Sequence, residues 1–197
     1  MKLPNPVNGS VRADWLERSG FGLLFAAEIR KRRVHSRSYS QWRRHLDEVF
    51  VKINGERYYL WRALDHEGEV LEVFATKRRD RKAALALLKR VLKRYGRPHS
   101  IVTDRLCSYR AAMNASGNAA SQSCARWFNN RAENSHQPFR RREGAMAKFR
   151  DVKTLQKFAS VHASIHNHFN LERHLTPRET FKQNRAAAMA EWRQLAA

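Results

Sequence analysis

Hydrophobic and polar positions alternate from His45 to Ile53. Asp47, Val49, Val51 and Ile53 fall on one side and Leu46, Glu48, Phe50 and Lys52 on the other. A period of two predicts a strand. Asn54-Gly55 follows, the dipeptide that a two-residue hairpin turn favours. Residues 57–64, rich in Tyr, Leu and Trp, read as a second strand. Asp65-His66-Glu67-Gly68 reads as the next turn and residues 69–76 as a third strand. The period then lengthens. Ala83, Ala84, Leu87, Leu88, Val91, Leu92 and Tyr95 recur at helical spacing, so a helix runs from its cap, Asp80, to Tyr95 and is closed by Gly96 and Pro98. Residues 100–103 predict a short buried strand ending at Asp104, residues 108–113 a short helix, and the small polar residues 114–123 a loop. A helical pattern resumes at Asn129, with interruptions expected near Pro138 and Gly144. Residues 151–169 form a clear helix with Val152, Leu155, Phe158, Val161, Ile165 and Phe169 on one side. Thr176-Pro177 opens a last helix that reaches Trp192. Upstream, Val11, Trp15, Leu16, Leu23 and Ile29 anchor one amphipathic helix, weakened at Ser19-Gly20 and Gly22. The expected division is a lead, helix and basic linker over 1–42, a core over 43–150, and C-terminal helices over 151–197 that pack on it.

Three antiparallel strands, a helix, a further strand and then flanking helices make an α/β chain. This is the order of a ribonuclease-H-like fold. Fold order alone does not give function.

Composition narrows the partners. The 197 residues carry 39 Lys+Arg against 18 Asp+Glu, a net charge of +21. A domain this basic calls for a polyanion, and nucleic acid is the leading one. The charge is clustered. Seven basic residues and no acid lie between Arg30 and Arg44, ten with the single acid Asp80 between Lys77 and Arg97, and Arg140, Arg141 and Arg142 are consecutive. No apolar run is long enough for a membrane helix, and the N-terminus does not read as a signal peptide. Cys107 and Cys124 build neither a disulfide framework nor a four-cysteine zinc site, and both fit a reducing cytosol.

In so basic a chain the acids in apolar strands stand out. Asp47 lies inside a strand beside Val49 and Phe50, where a carboxylate is disfavoured and costly to bury unpaired. Asp104 ends the strand Ile101-Val102-Thr103, where it can also simply cap the next helix. Glu133 is a third acid. If the first and fourth strands are neighbours, Asp47 and Asp104 point to one spot, and clustered carboxylates need a cation. Hard oxygen donors suit Mg²⁺ or Mn²⁺.

His45-Leu46-Asp47-Glu48 with Asn54-Gly55-Glu56-Arg57-Tyr58-Tyr59-Leu60-Trp61-Arg62-Ala63 resembles the start of the catalytic core of bacterial DDE transposases of the IS6 insertion-sequence family. Val102-Thr103-Asp104-Arg105-Leu106-Cys107-Ser108-Tyr109 resembles its second Asp motif. Asn129-Asn130-Arg131-Ala132-Glu133-Asn134-Ser135-His136-Gln137-Pro138-Phe139-Arg140-Arg141-Arg142-Glu143 resembles its Glu motif, and residues 161–170 its C-terminal helix. The resemblance covers about residues 11–195 and implies that Asp47, Asp104 and Glu133 are the catalytic metal-binding triad for Mg²⁺ (or Mn²⁺). Arg131, His136, Arg140, Arg141 and Arg142 would hold phosphates beside it. The implied activity is metal-dependent DNA cleavage and strand transfer at insertion-sequence ends. The implied partners are transposon ends, target DNA and further copies of the chain in a homo-oligomer, in the bacterial cytoplasm at the nucleoid. Two alternatives stay open: a nuclease of the same fold, and an inactive DNA-binding remnant. The family's N-terminal helix-turn-helix region is expected to be missing, with residues 11–29 matching its last helix. Arg44 stands where relatives usually have Trp, Arg105 where they have Lys, Arg110 where they have Gly, and Gly144 ends the basic tract.

His162 and His166 have the spacing of zinc ligands on a helix, but with no third ligand at a known spacing they read as a polar, partly buried face. Tyr58, Tyr59 and Trp61 read as strand packing. Trp42 and Trp127 flank the acidic motifs and stay open to DNA contact.

Overall fold

The computed structural model describes residues 26–29, 31, 43–104, 106–124, 132, 134–145, 149–169 and 177–196. They belong to two compact units, residues 38–159 and residues 1–37 with 160–197. The first unit is built on a five-stranded sheet of order β3-β2-β1-β4-β5. Its strands are β1 (Arg43–Ile53), β2 (Glu56–Asp65), β3 (Val70–Thr76), β4 (Ser100–Val102) and β5 (Gln122–Ser123). The meander forms as the alternation requires. Asn54 and Gly55 take φ values of 52° and 83°, the pair of left-handed conformations that joins β1 to β2 without splaying them. At the second turn the buried Asp65 carboxylate accepts from the Glu67 and Glu69 amides, both at 2.9 Å.

Helix α1 (Arg81–Tyr95) starts where Asp80 accepts the Ala83 amide at 2.9 Å and ends at Gly96, φ 74°. Its stripe of Ala83, Ala84, Leu87, Leu88 and Val91 packs on Leu46, Trp61, Ala63 and Leu71 of the sheet. Tyr109, Ala112 and Met113 of α2 (Cys107–Ala115) complete that core. Trp61 is fully buried, donates to Thr76 Oγ1 at 2.8 Å and meets the Tyr109 ring edge-on. Ion pairs lie around this core, Lys77 with Glu56 and Arg94 with Glu72 among them.

Helix α3 (His136–Ala145) follows a turn at Ser135. Pro138 does not interrupt it, because the first turn has amides with no helical acceptor and loses nothing to a proline. The interruption expected near Gly144 is present, since α3 ends at Ala145, one residue beyond it. Helix α4 (Val152–Phe169) is capped by Asp151, which accepts the Thr154 amide at 2.8 Å. Its Gln156 accepts from the Ala75 amide at 2.8 Å and donates to the Val73 carbonyl at 2.9 Å, closing the free edge of β3 as another strand would. Phe139 and Phe149 pack on Phe158.

β5 was not expected, since residues 114–123 read as loop. Two polar residues carry no periodicity. They become a strand by parallel pairing to Ile101 and Val102.

In the second unit residues 26–29 are helical, and Ala26 packs on Val161 of α4. Ile29 meets Trp192 of α5 (Arg178–Ala196), with Ile165 and Phe169 against them. His162 and His166 stack in parallel, ring centres 5.9 Å apart. The rest of the expected 11–29 helix, the linker, Trp42 and Trp127 lie outside the described residues. No helix among the described residues is long and apolar enough to cross a membrane.

Arg44 has a structural role. It is buried, and its guanidinium donates to the carbonyls of Tyr95 at 2.6 Å and Gly96 at 2.7 Å. It thereby caps the C-terminal, electronegative end of α1 and pins that helix to β1. Arg44→Met leaves these carbonyls without their charged donor and costs about 3 kcal/mol, two charge-assisted bonds less the apolar packing retained. Thermal melting should show Tm falling by roughly 6–12 °C. An unchanged Tm would mean water replaces the cap.

Candidate active site

The parallel pairing of β1 with β4 sets the site. Arg43 lies opposite Ser100, Arg44 opposite Ile101 and His45 opposite Val102. Two residues further along each chain stand Asp47 and Asp104. β4 stops at Val102 while β1 runs on to Ile53, so Asp104 sits beside the β1 edge that the shorter strand leaves open. One carboxylate oxygen each from Asp47, Glu48 and Asp104 lies within 4.8 Å of the others. Asp104 also accepts the Leu106 amide at 3.0 Å, a turn that leads into α2 without capping the helix itself.

Consecutive strand residues face opposite ways, yet Glu48 joins the group. Its side chain is 3% exposed. The Arg79 Nε donates to Glu48 Oε1 at 2.7 Å, and Arg79 Nη2 reaches both that oxygen and Asp104 Oδ2, the latter at 3.5 Å. Glu48 Oε2 and the Tyr109 hydroxyl are both buried and interact electrostatically, without the geometry of a hydrogen bond. Burial, then the Asp104 charge, raises the pKa of Glu48, against the lowering pull of Tyr109 and Arg79. Burial likewise raises Asp104, with Asp47 adding to it, while the Leu106 amide and Arg79 oppose. The cluster is therefore short of positive charge. Its donors are all hard oxygens, which fits a Mg²⁺- or Mn²⁺-type ion.

His136 stands against Asp47. Its Nε2 meets Asp47 Oδ2 and its Nδ1 meets Arg62 Nη1 at 3.0 Å. Arg62 is the cross-strand partner of Asp47 and also donates to the Ser135 carbonyl at 2.8 Å. Burial pushes the Arg62 pKa down to about 10, the Asp47 charge opposing, so it remains charged at neutral pH. Expected as a phosphate contact, His136 is here a partner of a carboxylate. Arg140 donates to the Phe50 carbonyl at 2.7 Å and to Glu143 at 2.5 Å. Its guanidinium and that of Arg57 lie 5.3 Å and 5.1 Å from the centre of the exposed Phe50 ring. Arg141 is exposed and Arg142 half-buried. Glu133 and Arg131 lie outside the described residues.

The DDE domain model of the IS240 type matches residues 41–172, two thirds of the chain. The chain belongs to the IS6 family of DDE transposases. The transposase for insertion sequence-like element IS431mec of Staphylococcus aureus is 39% identical over 82 residues, 42% of this chain and 36% of that protein. The transposase for insertion sequence element IS257 in transposon Tn4003, from the same organism, matches to the same extent. The chain thus matches about a third of the length of these curated relatives. Among solved structures, the cryo-EM intasome of simian T-cell lymphotropic virus with the PP2A regulatory subunit B56 gamma superposes with a TM-score of 0.54 at 18% identity. That match covers 74% of this chain and 54% of that one. The likeness bears on the fold, which is ribonuclease-H-like. Asp47, Asp104 and Glu133 all fall within the matched DDE domain.

Reading the sequence singled out neither Glu48 nor Arg79 for the site. Glu48 carried a signal, since it too is a carboxylate inside an apolar strand. Its alternation away from Asp47 argued the other way. Arg79 was one of ten basic residues in a run and carried none.

The raised values set a pH dependence. With its pKa above the ordinary 4.5, Glu48 makes the native state hold more protons than the unfolded chain between 4.5 and the raised value. Stability contributed by this group therefore falls as pH rises through that interval. In metal-free buffer, the Tm of the wild type relative to Glu48→Gln should rise as pH is lowered from neutrality towards 4.5. A difference that stays constant or shrinks on acidification would mean that Arg79 outweighs burial.

Proposed function

We propose that this chain carries out metal-dependent cleavage of DNA at insertion-sequence ends and transfer of the freed 3′ end to target DNA. The observation that carries the reading is the convergence of the Asp47 and Asp104 oxygens, from neighbouring parallel strands, in a protein of net charge +21. Asp47 and Asp104 hold the cations and Glu133 completes their ligand set. Bound there, Mg²⁺ or Mn²⁺ supplies charge to activate the attacking oxygen and to stabilise the leaving one in an in-line displacement. The protein's own task is to hold a phosphodiester over the carboxylate edge of β1 against a strong local negative charge. Arg131, Arg140, Arg141 and Arg142 supply the opposing charge, with His136 beside them against Asp47. The exposed basic face of α1, with Arg81, Lys82, Lys89 and Lys93, and Arg97 just beyond its end, extend the phosphate-binding surface. Joining two element ends to one target requires more than one such site, which a homo-oligomer provides. The setting is the bacterial cytoplasm, at the nucleoid.

Asp104→Asn tests the reading against a purely structural turn. Asn keeps the oxygen that accepts the Leu106 amide but lacks the charge. The variant should remain folded and bind DNA as the wild type does. It should lose Mn²⁺-dependent strand cleavage by at least about 10²-fold, the scale of removing one charge-stabilising group. Equal cleavage by both proteins would overturn the assignment. Cleavage by the wild type without joining of the product would favour a nuclease of this fold.

DNA affinity should be salt-dependent, each neutralised phosphate contributing about −0.9 to the slope of log K against log salt. Replacing the exposed Arg141 with Gln should flatten that slope by about one such unit, for any duplex sequence. A slope unchanged in fluorescence-anisotropy titrations would remove Arg141 from the phosphate surface.

A further inference from the structure

Arg62, His136 and Asp47 form a buried chain of hydrogen bonds whose direction can be worked out from donor chemistry alone. A guanidinium carries only donors. Arg62 Nη1 has two hydrogens and two partners, the Ser135 carbonyl at 2.8 Å and His136 Nδ1 at 3.0 Å. His136 Nδ1 must therefore present its lone pair to Arg62. The ring hydrogen then sits on Nε2 and is donated to Asp47 Oδ2. All three groups are secluded. Arg62 and Asp47 are 5% and 7% exposed, and the His136 side chain is 14% exposed. Each is also anchored independently of the others. Arg62 and Asp47 face each other across the β1–β2 ladder, and His136 is the first residue of α3.

We propose that His136 is a positioning residue for Asp47, held by Arg62 as the Nε2–H tautomer so that it occupies Oδ2 and leaves the other Asp47 oxygen for the cation shared with Asp104. The inference rests on the reading of Asp47 and Asp104 as cation ligands and adds the residues that aim one of them. A carboxylate free to rotate offers either oxygen, or both, and a histidine in the opposite tautomer would turn a lone pair towards it and repel it. The Arg62 donor excludes that tautomer. Because Arg62 also binds the Ser135 carbonyl, the same guanidinium fixes the start of α3 to β2, so ring position and ring tautomer are set together. Outer partners of this kind, which orient a ligand without touching the ion, are worth about 10–100-fold in metal affinity.

The test uses the full chain and Mn²⁺ alone, without DNA. Long-range proton–nitrogen correlation spectra of the metal-free protein read the His136 ring directly, its signals identified by their loss in His136→Gln. The expected result is hydrogen on Nε2 and none on Nδ1 at neutral pH. Hydrogen on Nδ1, or on both nitrogens, overturns the proposal. Mn²⁺ titration by calorimetry gives the second readout. His136→Leu, which keeps bulk but no polar atom, should weaken Mn²⁺ binding by about 10–100-fold. His136→Gln, whose amide can donate to Asp47 and accept from Arg62, should return affinity to within a few-fold of the wild type. Wild-type affinity in folded His136→Leu, or a Gln variant no better than Leu, overturns the positioning role. Should His136→Leu fail to fold, the tautomer and the Gln variant still decide. Mn²⁺ affinity indifferent to Asp104→Asn would instead sink the cation site itself, and the ring tautomer, read without metal, would still decide the Arg62–His136–Asp47 chain.

Discussion

Three parallel backbone pairs between β1 and β4 carry the site. Side chains alternate along a strand, so a slip of one residue would turn Asp47 to the other face and away from Asp104. The register is protected from both sides. Leu46, between His45 and Asp47, is buried against α1, and Arg44 is tied to the end of α1 by two charged hydrogen bonds. A hydrophobic contact and a helix cap thus fix the strand that presents the first carboxylate. β4 is only three residues long. Its early end is what leaves Asp104 beside an open β1 edge.

The second constraint is electrostatic. A chain of net charge +21 gathers three carboxylates at one edge and buries them enough to raise Glu48 and Asp104. Three arginines answer that charge or use the same chemistry elsewhere, and position decides what each does. Arg79, part-exposed, spans Glu48 and Asp104 as a resident counter-charge. Arg62, buried, acts on Asp47 through His136. Arg44, equally buried, is spent on backbone carbonyls. The basic run from Arg30 to Arg44 therefore ends in a residue unavailable to phosphate, while the outer face of α1 remains open to it.

Much of the fold was legible because it rests on local periodicity. The alternation from His45, the Asn54-Gly55 turn, the stripe from Ala83 to Tyr95 and the Asp80 and Asp151 caps each involve residues a few positions apart, whose geometry is dictated by backbone sterics and nearest-neighbour burial. The strand-interior Asp47 and strand-end Asp104 were legible for a related reason, since a carboxylate in an apolar run is expensive unless something uses it.

The tertiary structure decided what depends on partners far along the chain. Gln122 and Ser123 become a strand only beside β4, and α3 begins past Ser135, with Pro138 harmless in its first turn. Arg44 meets Tyr95 across 51 positions and His136 meets Asp47 across 89, and neither contact leaves a periodic trace in the sequence. The sequence by itself determined which segments would be strands and helices and which acids would be conspicuous, because propensity and burial act locally. Which carboxylate oxygens meet, which arginine is a cap and which a counter-charge, and which way a histidine holds its hydrogen were decided by register and packing, because those fix distances that no local pattern encodes.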